Sequence, residues 1–563
     1  MGVTKNFLKA AGILASLFLL TAILPAAVVP NATLSADQLA TRFLAQATFG
    51  ASPASLAELQ ALSYNYDTWI TQQAALPQTL AVDLLVAAKA TDSTITTFDT
   101  TLNRRARNQV MLAGTDQLRQ RVAYALSQIL VISDQDSNVA ADLEGSSSYY
   151  DMLARNALGN FRTLLMDVTR HPMMGRYLSH YKNRKANTTT GTRPDENYAR
   201  EVMQLFTIGL YQLNADGTFQ LGTDGKPIEV YTNDDITEMA RVFTGFMDAN
   251  TNTQTNTDFP SVTINYTAPM RMWAAQHDIG SKKLLSYTGA VNPTLAAISA
   301  TETACLQDVQ NALDNLFNHP NTAPFICRQL IQRLVTSNPT NAYVGRVAAV
   351  FVNNGSGIRG DLLAVVRAIL LDPEARNTSF ITDAQHGKLQ EPFLRLTQIL
   401  RAFNFSVSAG TLPYDLGYSF SEYTMGQFPL GAPSVFNFYA PDYSPPGAIE
   451  KAGLDAPEFQ ILNSVFGVTF HNSIYTLIYS GSGKFSLNLT PQETLAASTS
   501  QLIDNLDLFL THGTMSTDTR TTITTAVNKV TNAMVPSGST LNMTRARLAL
   551  HLATISPDFA ILK

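Results

Sequence analysis

Apolar residues recur at helical spacing along most of this chain, and this periodicity constrains its fold more than any other feature. Residues 116–133, for example, place Leu118, Val122 and Ala125 on one stripe with polar side chains around it. The same pattern predicts further helices over residues 147–157, 160–170, 194–209, 235–244, 303–317, 323–336, 361–371, 388–403, 457–477, 490–510, 518–534 and 543–554. The periodicity therefore predicts a mainly α protein, a large and irregular assembly of many helices.

Three segments depart from this helical pattern. Residues 211–231 hold the only convincing β signal, because Asp216-Gly217 and Asp224-Gly225 are dipeptides typical of tight turns. A small β-hairpin insertion is expected there. Residues 248–258, DANTNTQTNTD, lack apolar periodicity and predict a mobile loop. Residues 408–453 are rich in Gly, Ser, Pro and aromatic side chains, which predicts a functional loop or a belt packed across the fold.

Residues 1–30 have the order of a Sec-type signal peptide, with a short basic start, an apolar stretch over 10–24 and small residues after Pro25. An uncleaved membrane anchor is the alternative, because about twenty mostly apolar residues suffice to span a bilayer. Pro25 and Pro30 favour cleavage, so we expect no membrane span in the mature chain and an extracytoplasmic location in the periplasm, at the cell surface or outside the cell. Residues 31–563 are predicted to form one large helical unit, whose length also allows two lobes.

Composition and motifs exclude several partners and cofactors. The net charge of −5 at pH 7 argues against nucleic acid as a partner. No P-loop, dinucleotide fingerprint or CxxCH motif occurs, so neither a nucleotide nor a haem is predicted. Two cysteines, Cys305 and Cys327, are too few for a cysteine-rich metal site. A disulfide between them is possible in an oxidising compartment, but their offset on a predicted helical hairpin favours free thiols.

Charged residues on the predicted helix 194–209 are the first candidates for chemistry. Asn197 and Glu201 share one stripe beside its apolar face, which predicts a half-buried Glu201 carboxylate. Arg200 follows Glu196 by four residues and is therefore placed to pair with it on the helix surface.

Residues further along the chain extend this candidate set. Glu238 and Arg241 lie on the predicted helix 235–244, which Thr232 caps, and His277, Asp278 and Lys282 follow in a loop. If Glu201, Glu238 and His277 converge, they form a catalytic set that holds a divalent metal with an open position or divides acid and base roles. The binding residues of that site are then Asn197, Arg200, Arg241, Asp278 and Lys282. The alternative is a structural ion-pair network, because the spacing matches no metal signature such as HExxH.

Four longer strings together resemble a known bacterial family. They are RQRVAYALSQILVIS at 119–133, PDENYAREVMQLFTIGL at 194–210, APFICRQLIQRLV at 323–335 and PSVFNFYAPDYSPPG at 433–447. The chain resembles the proteins called domain of unknown function 1800, from LATRFLAQATFG near residue 39 to the terminal SPDFAILK. The resemblance implies an exported, helical protein, and a sulfatase-like exported partner, because members are often encoded beside a second exported family related to sulfatases and phosphatases. It implies no particular reaction.

Two classes of function are compatible with these features. The first is an exported envelope or secreted protein that serves as a helical scaffold or as a binding or accessory module, acting with an exported partner or on polysaccharide. The alternative is an extracytoplasmic hydrolase or divalent-metal-dependent enzyme. An enzyme needs Glu201, Glu238 and His277 in a shared cleft with incompletely paired carboxylates, whereas a scaffold allows them to be enclosed and matched by Arg200 or Arg241.

Overall fold

A computed structural model of the chain describes residues 34–250 and 257–563. The predicted signal peptide and residues 251–256 of the predicted loop lie outside these ranges. Among the helices of the described ranges, none has both the length and the apolar content needed to cross a bilayer.

Helices make up about 52% of the described residues, which confirms the prediction of a mainly α protein. Numbered in chain order within the described ranges, they are α1 Ala36–Ala47, α2 Pro53–Ala61, α3 Tyr66–Ala75, α4 Ala81–Thr91, α5 Thr100–Ala113, α6 Gln117–Ser127, α7 Leu143–Asn156, α8 Phe161–Arg170, α9 Pro172–Tyr177, α10 Asn197–Gln204, α11 Asn233–Val242, α12 Glu302–Asn318, α13 Thr322–Leu334, α14 Asn341–Val352, α15 Leu362–Leu371, α16 Pro373–Arg376, α17 Pro392–Ala402, α18 Glu422–Met425, α19 Ala448–Lys451, α20 Ser464–Ser480, α21 Thr490–Leu495, α22 Thr499–Leu506, α23 Thr517–Asn528, α24 Leu541–Thr554 and α25 Pro557–Ala560.

Strands in the described ranges are only two residues long. They are β1 Phe246–Met247, β2 Arg271–Met272, β3 Lys282–Lys283, β4 Thr294–Leu295, β5 Lys388–Leu389, β6 Ser406–Val407, β7 Phe485–Ser486 and β8 Ile561–Leu562. They pair antiparallel as β1–β2, β3–β4, β5–β8 and β6–β7. The β5–β8 pair connects residues 561–562 to the segment that directly precedes α17.

Several predicted helices are shorter than their apolar patterns. The predicted helix 194–209 is helical only over α10, because the amide of Phe206 bonds five residues back and the α-helical ladder ends there. The predicted helix 457–477 begins at α20, where the Asn463 side chain accepts the first free amides. The predicted helix 490–510 is divided into α21 and α22, followed by one π-helical turn. The apolar pattern thus located these elements but not their ends.

The predicted hairpin at 211–231 is present as a short antiparallel meander with isolated bridges rather than regular strands. Tyr211 bridges Glu229, and two inner bridges close the turns. Gly217 and Gly225 have φ of 80° and 75° in these turns, which is the conformation that their Asp-Gly dipeptides predict.

The segment 408–453 packs across the fold as a belt. Ser133 after α6 bridges Gly431 and donates its hydroxyl to the Ala432 carbonyl. The Gln332 side chain near the end of α13 donates to the Pro441 carbonyl at 2.9 Å. The belt therefore connects helices from distant parts of the sequence.

Buried apolar side chains form one connected cluster that extends from Ala40 on α1 to Phe559 on α25. Cys305 on α12 and Cys327 on α13 are buried in it as free thiols. Whether the chain divides into two lobes stays a prediction.

Basic side chains satisfy the carbonyls at the ends of these short helices. The last four carbonyls of any helix lack partners within the helix, and burying them unpaired is costly. Largely buried cations from other elements donate to such carbonyls: Arg119 to Ala74 and Ala154, Arg121 to Arg333, Arg359 to Phe317, Arg395 to Thr554, Arg401 to Leu112, and Lys388 to Gln332 and Arg333. The helices are therefore tied together through their ends as well as through their apolar faces.

Replacing one of these cations tests this role. Arg401 donates to the Gly50 and Leu112 carbonyls at 2.8 and 2.9 Å. Arg401→Met leaves both carbonyls without this donor, and we expect it to lower the free energy of unfolding by about 2–4 kcal/mol, measured by chemical denaturation. The control is Arg367→Met, which removes an exposed pair with Asp67 and is expected to cost less than about 1 kcal/mol. Equal losses in the two variants would contradict the role of Arg401.

Histidines inside the fold are held neutral by their surroundings. Burial lowers the pKa to about 3 for His171 and His512, and to about 4 for His180, His319, His386 and His471. In the unfolded chain a histidine pKa is about 6.5. Below that pH the unfolded state binds protons that the folded state excludes, so stability falls as the pH falls from 6.5 towards 4.

Acid should therefore destabilise the fold, although burial raises the pKa of Asp151 to about 6, which opposes the histidine effect at that one site. At pH 5.5, each histidine whose folded pKa lies below that pH costs about 1.4 kcal/mol relative to neutral pH. We expect the thermal unfolding midpoint to drop between pH 7.5 and pH 5.5. His171→Asn keeps an acceptor for the Met173 amide but does not titrate, so it should reduce the slope. A midpoint that does not change over this range would refute the assignment.

Candidate functional site

Three elements position Glu238, Arg241, His277, Asp278 and Lys282, namely α11, the loop after β2, and β3. A capping box between Thr232 and Asp235 starts α11, which places Glu238 and Arg241 one turn apart on its surface. Thr244, just after α11, fixes the loop by accepting from the Asp278 amide at 2.9 Å through its hydroxyl. The loop therefore lies directly against the end of α11.

Arg241 is the centre of the first charged group. Its guanidinium donates to both Asp278 oxygens at 2.9 and 3.1 Å and to both Glu238 oxygens at 2.9 and 2.7 Å. The hydrogen bonds to Asp278 and then to Glu238 raise the Arg241 pKa despite its partial burial. Burial acts to raise the pKa of Asp278, but the bonds from Arg241 and the Gly280 amide outweigh it and hold that pKa below its usual range. Both carboxylates are thus matched by one fixed cation.

A second charged group lies in the interior beside the first. The Lys282 ammonium donates to an Asp308 oxygen at 2.6 Å, and the same oxygen lies 3.2 Å from His277 Nε2. The other ring nitrogen of His277 lies 2.8 Å from the Thr244 carbonyl. The side chains of His277, Lys282 and Asp308 are each at most 1% exposed. This group is enclosed and has no face towards solvent.

Asp308 was not predicted, although the sequence carries a signal for it. It lies three residues after Cys305 and four before Ala312, both buried, so it falls on the apolar face of α12. An acidic residue on such a face requires a buried partner. The sequence does not indicate that His277, in the loop after β2, and Lys282, on β3, are the partners of Asp308.

Glu201 lies in a different environment from Glu238 and His277. It is 6% exposed on α10, and its Oε2 atom is buried without a hydrogen-bond partner among the described residues. Burial raises its pKa, and Arg200 offsets this only in part. Its charge acts on two tyrosines. Burial and then Glu201 raise the pKa of Tyr231 to about 12. Burial raises the pKa of Tyr177, and Asp136 and Glu201 raise it further.

The other predicted site residues of this helix lie at or near the surface. Asn197 is exposed at the start of α10. Arg200 lies 3.6 Å from Glu196, which confirms the predicted pair. The structure thus brings Glu238, Arg241, His277, Asp278 and Lys282 together. In residues 34–250 and 257–563, no three His, Cys, Asp or Glu side chains are grouped so as to hold a metal ion, so Glu201, Glu238 and His277 do not form a three-ligand site.

A cleft of about 580 Å³ opens beside the first charged group. Asp234, Glu238, Arg241 and Lys283 line it, and Glu238 also accepts from the Lys283 amide at 3.0 Å. Arg241 and the Lys283 amide hold the Glu238 carboxylate, so this part of the wall offers a ligand a fixed pattern of charges rather than a free base.

Comparison with known proteins identifies one family. The family model described as Protein of unknown function (DUF1800) matches residues 42–561, nearly the whole chain. No curated protein and no solved structure matches.

A double-mutant cycle tests whether the interior group is structural. Lys282→Met and Asp308→Leu each leave an unmatched charge in the interior, and we expect each to lower the free energy of unfolding by about 3–5 kcal/mol. The double variant removes both charges, so it should lose clearly less than the sum of the two single losses. Additive losses in denaturant unfolding would show that the pair is not coupled.

Proposed function

This chain belongs to the DUF1800 family, and we propose that it acts outside the cytoplasm as a non-catalytic helical binding or accessory module of the cell envelope. One observation carries this proposal: the carboxylates of the charged groups are already matched by cations of the fold. Arg241 holds Glu238 and Asp278, and Lys282 holds Asp308. A general base or a metal ligand needs lone pairs that point into an accessible cleft. These carboxylates instead hold the segment around Asp278 and Lys282 against α11 and α12.

The ligand of such a module is a polysaccharide or an exported partner protein. The cleft beside Arg241 has walls of both charge signs, and the chain carries a net charge of −5, which disfavours a polyanion. The helices are tied together through buried cations, so the module presents a surface that is fixed before the ligand arrives.

One observation favours a second candidate, an extracytoplasmic hydrolase. Glu201 combines a raised pKa with a buried oxygen that has no partner in the described ranges, and this combination suits a general acid. A hydrolase of this kind also needs a base or nucleophile beside Glu201. Glu201 contributes to the raised pKa values of Tyr177 and Tyr231, which keep both hydroxyls protonated, so neither is available as a base.

Turnover and metal content distinguish the two functions. We expect the purified chain to contain no stoichiometric divalent metal by mass spectrometry and to release no product from a panel of glycans and esters. Glu201→Gln should leave binding to an envelope extract unchanged. The matched control is Glu144→Gln, because Glu144 is another partly buried glutamate with a pKa raised by burial. Product release that is lost in Glu201→Gln but kept in Glu144→Gln would establish the hydrolase and reject the binding module.

A further inference from the structure

A second cleft, of about 340 Å³, lies between α5 and the belt. Arg104 and Arg105 line it from α5, and Tyr418 and Glu422 line it from the belt. We call it the tyrosine–arginine cleft. It lies outside the charged groups around Arg241, and no residue of the predicted site lines it.

Arginine–carboxylate pairs form the polar wall of this cleft. Arg104 contacts Glu422 at 3.2 Å, and Arg105 contacts Asp415 at 2.6 Å, with all four side chains between 25% and 33% exposed. Behind them Arg107 pairs with Asp134, and both side chains are 1% exposed. The three cations are therefore balanced by three carboxylates, and the wall has no net charge.

Tyr418, which lines the cleft, and Tyr423, which does not line it but stacks on Tyr418, form the apolar rim. Tyr418 is 74% exposed and Tyr423 is 67% exposed, although tyrosine is ordinarily more buried. Their rings lie 6.2 Å apart between centroids and within 21° of parallel. They present one continuous aromatic surface to solvent at the edge of the polar wall.

The fold holds this rim in place. Gly417, directly before Tyr418, has φ of 71° and lies so close to Gly483 that an added Cβ would be 2.8 Å from the Gly483 Cα. The Ser482 hydroxyl donates to the Leu416 carbonyl at 3.0 Å. The turn after α20 therefore clamps the belt beneath the tyrosine pair, and the aromatic surface is ready before a ligand binds.

We propose that the tyrosine–arginine cleft binds a neutral segment of a polysaccharide, an inference that rests on the proposed binding function. A sugar ring has an apolar face of C–H groups that packs on an aromatic ring, and hydroxyls around its edge that both donate and accept. Paired arginines and carboxylates supply donors and acceptors side by side, so they match vicinal hydroxyls. Because Arg104 and Arg105 are neutralised by Glu422 and Asp415, the wall attracts neither polyanions nor polycations.

Isothermal titration calorimetry of the full chain tests this assignment. The probes are neutral hexasaccharides of glucose, mannose, galactose and N-acetylglucosamine, with oligoguluronate as the anionic probe. We expect at least one neutral probe to bind, and oligoguluronate to bind more weakly than that probe. Tyr418→Ala and Tyr423→Ala should each weaken binding about tenfold.

The chain offers a matched control for these variants. Tyr475 on α20 is 50% exposed and lies 4.5 Å from Tyr479 in another stacked pair, but it does not line the cleft. Tyr475→Ala should leave affinity within about twofold of the unmodified chain. Glu422→Gln adds one net positive charge to the wall and should raise the affinity for oligoguluronate several-fold without loss of the fold.

Three outcomes would overturn the inference: no binding of any neutral probe, tighter binding of oligoguluronate than of every neutral probe, or an equal loss in Tyr475→Ala. Failure of the proposed binding function would give a different result, because the chain would then release product in the turnover assay. Capture of a partner protein from envelope extract without saccharide binding would contradict the assignment of the tyrosine–arginine cleft but not the proposed binding function.

Discussion

The carbonyl groups at the ends of short helices impose the constraint on which this structure depends. Many of its helices end inside the protein, where water does not reach their last carbonyls. Arginine suits this position because its planar guanidinium carries five donors and can reach two chain segments at once. Arg119 and Arg401 each do so, joining segments that are far apart in sequence. Charged residues make up only 15% of the chain, and some of them are thus buried in the interior rather than exposed at the surface.

The same constraint explains why the predicted acid and base residues are paired. Burying a carboxylate without a cation costs free energy. A fold that already buries basic side chains therefore pairs its buried carboxylates with them. Lys282 donates to the Asp278 and Gly280 carbonyls and to the Asp308 carboxylate. Lys282 therefore donates both to backbone carbonyls and to an acid, just as the buried arginines donate to the carbonyls at helix ends. Glu201 is the exception, and its raised pKa is the physical result of lacking such a partner.

Local chemistry in the sequence predicted the parts of the fold that depend on neighbouring residues. The helices, the Asp-Gly turns, the Glu196–Arg200 pair and the burial of Glu201 all follow from spacing along one element. The pairing of Arg104 and Arg105 with the belt spans 318 and 310 residues, and no local pattern encodes it. Asp308 lies between these cases, because its place on an apolar face signals a buried charge but not the identity of its partner. Whether Glu201 meets His277 likewise depends on two separate elements, and that part of the candidate site stays a prediction.

The two clefts differ in the apolar area that they offer a ligand. In both, arginine holds the carboxylates by hydrogen bonds, so a ligand gains little by displacing them. The paired side chains of the tyrosine–arginine cleft are between 25% and 33% exposed, so a ligand can bond to them without breaking the pairs. The tyrosine surface adds apolar area that the fold has left open to water, and covering it contributes favourably. Because Gly417 and the turn after α20 already fix that surface, little ordering entropy opposes binding there. The pre-formed aromatic rim therefore supports the binding function proposed above.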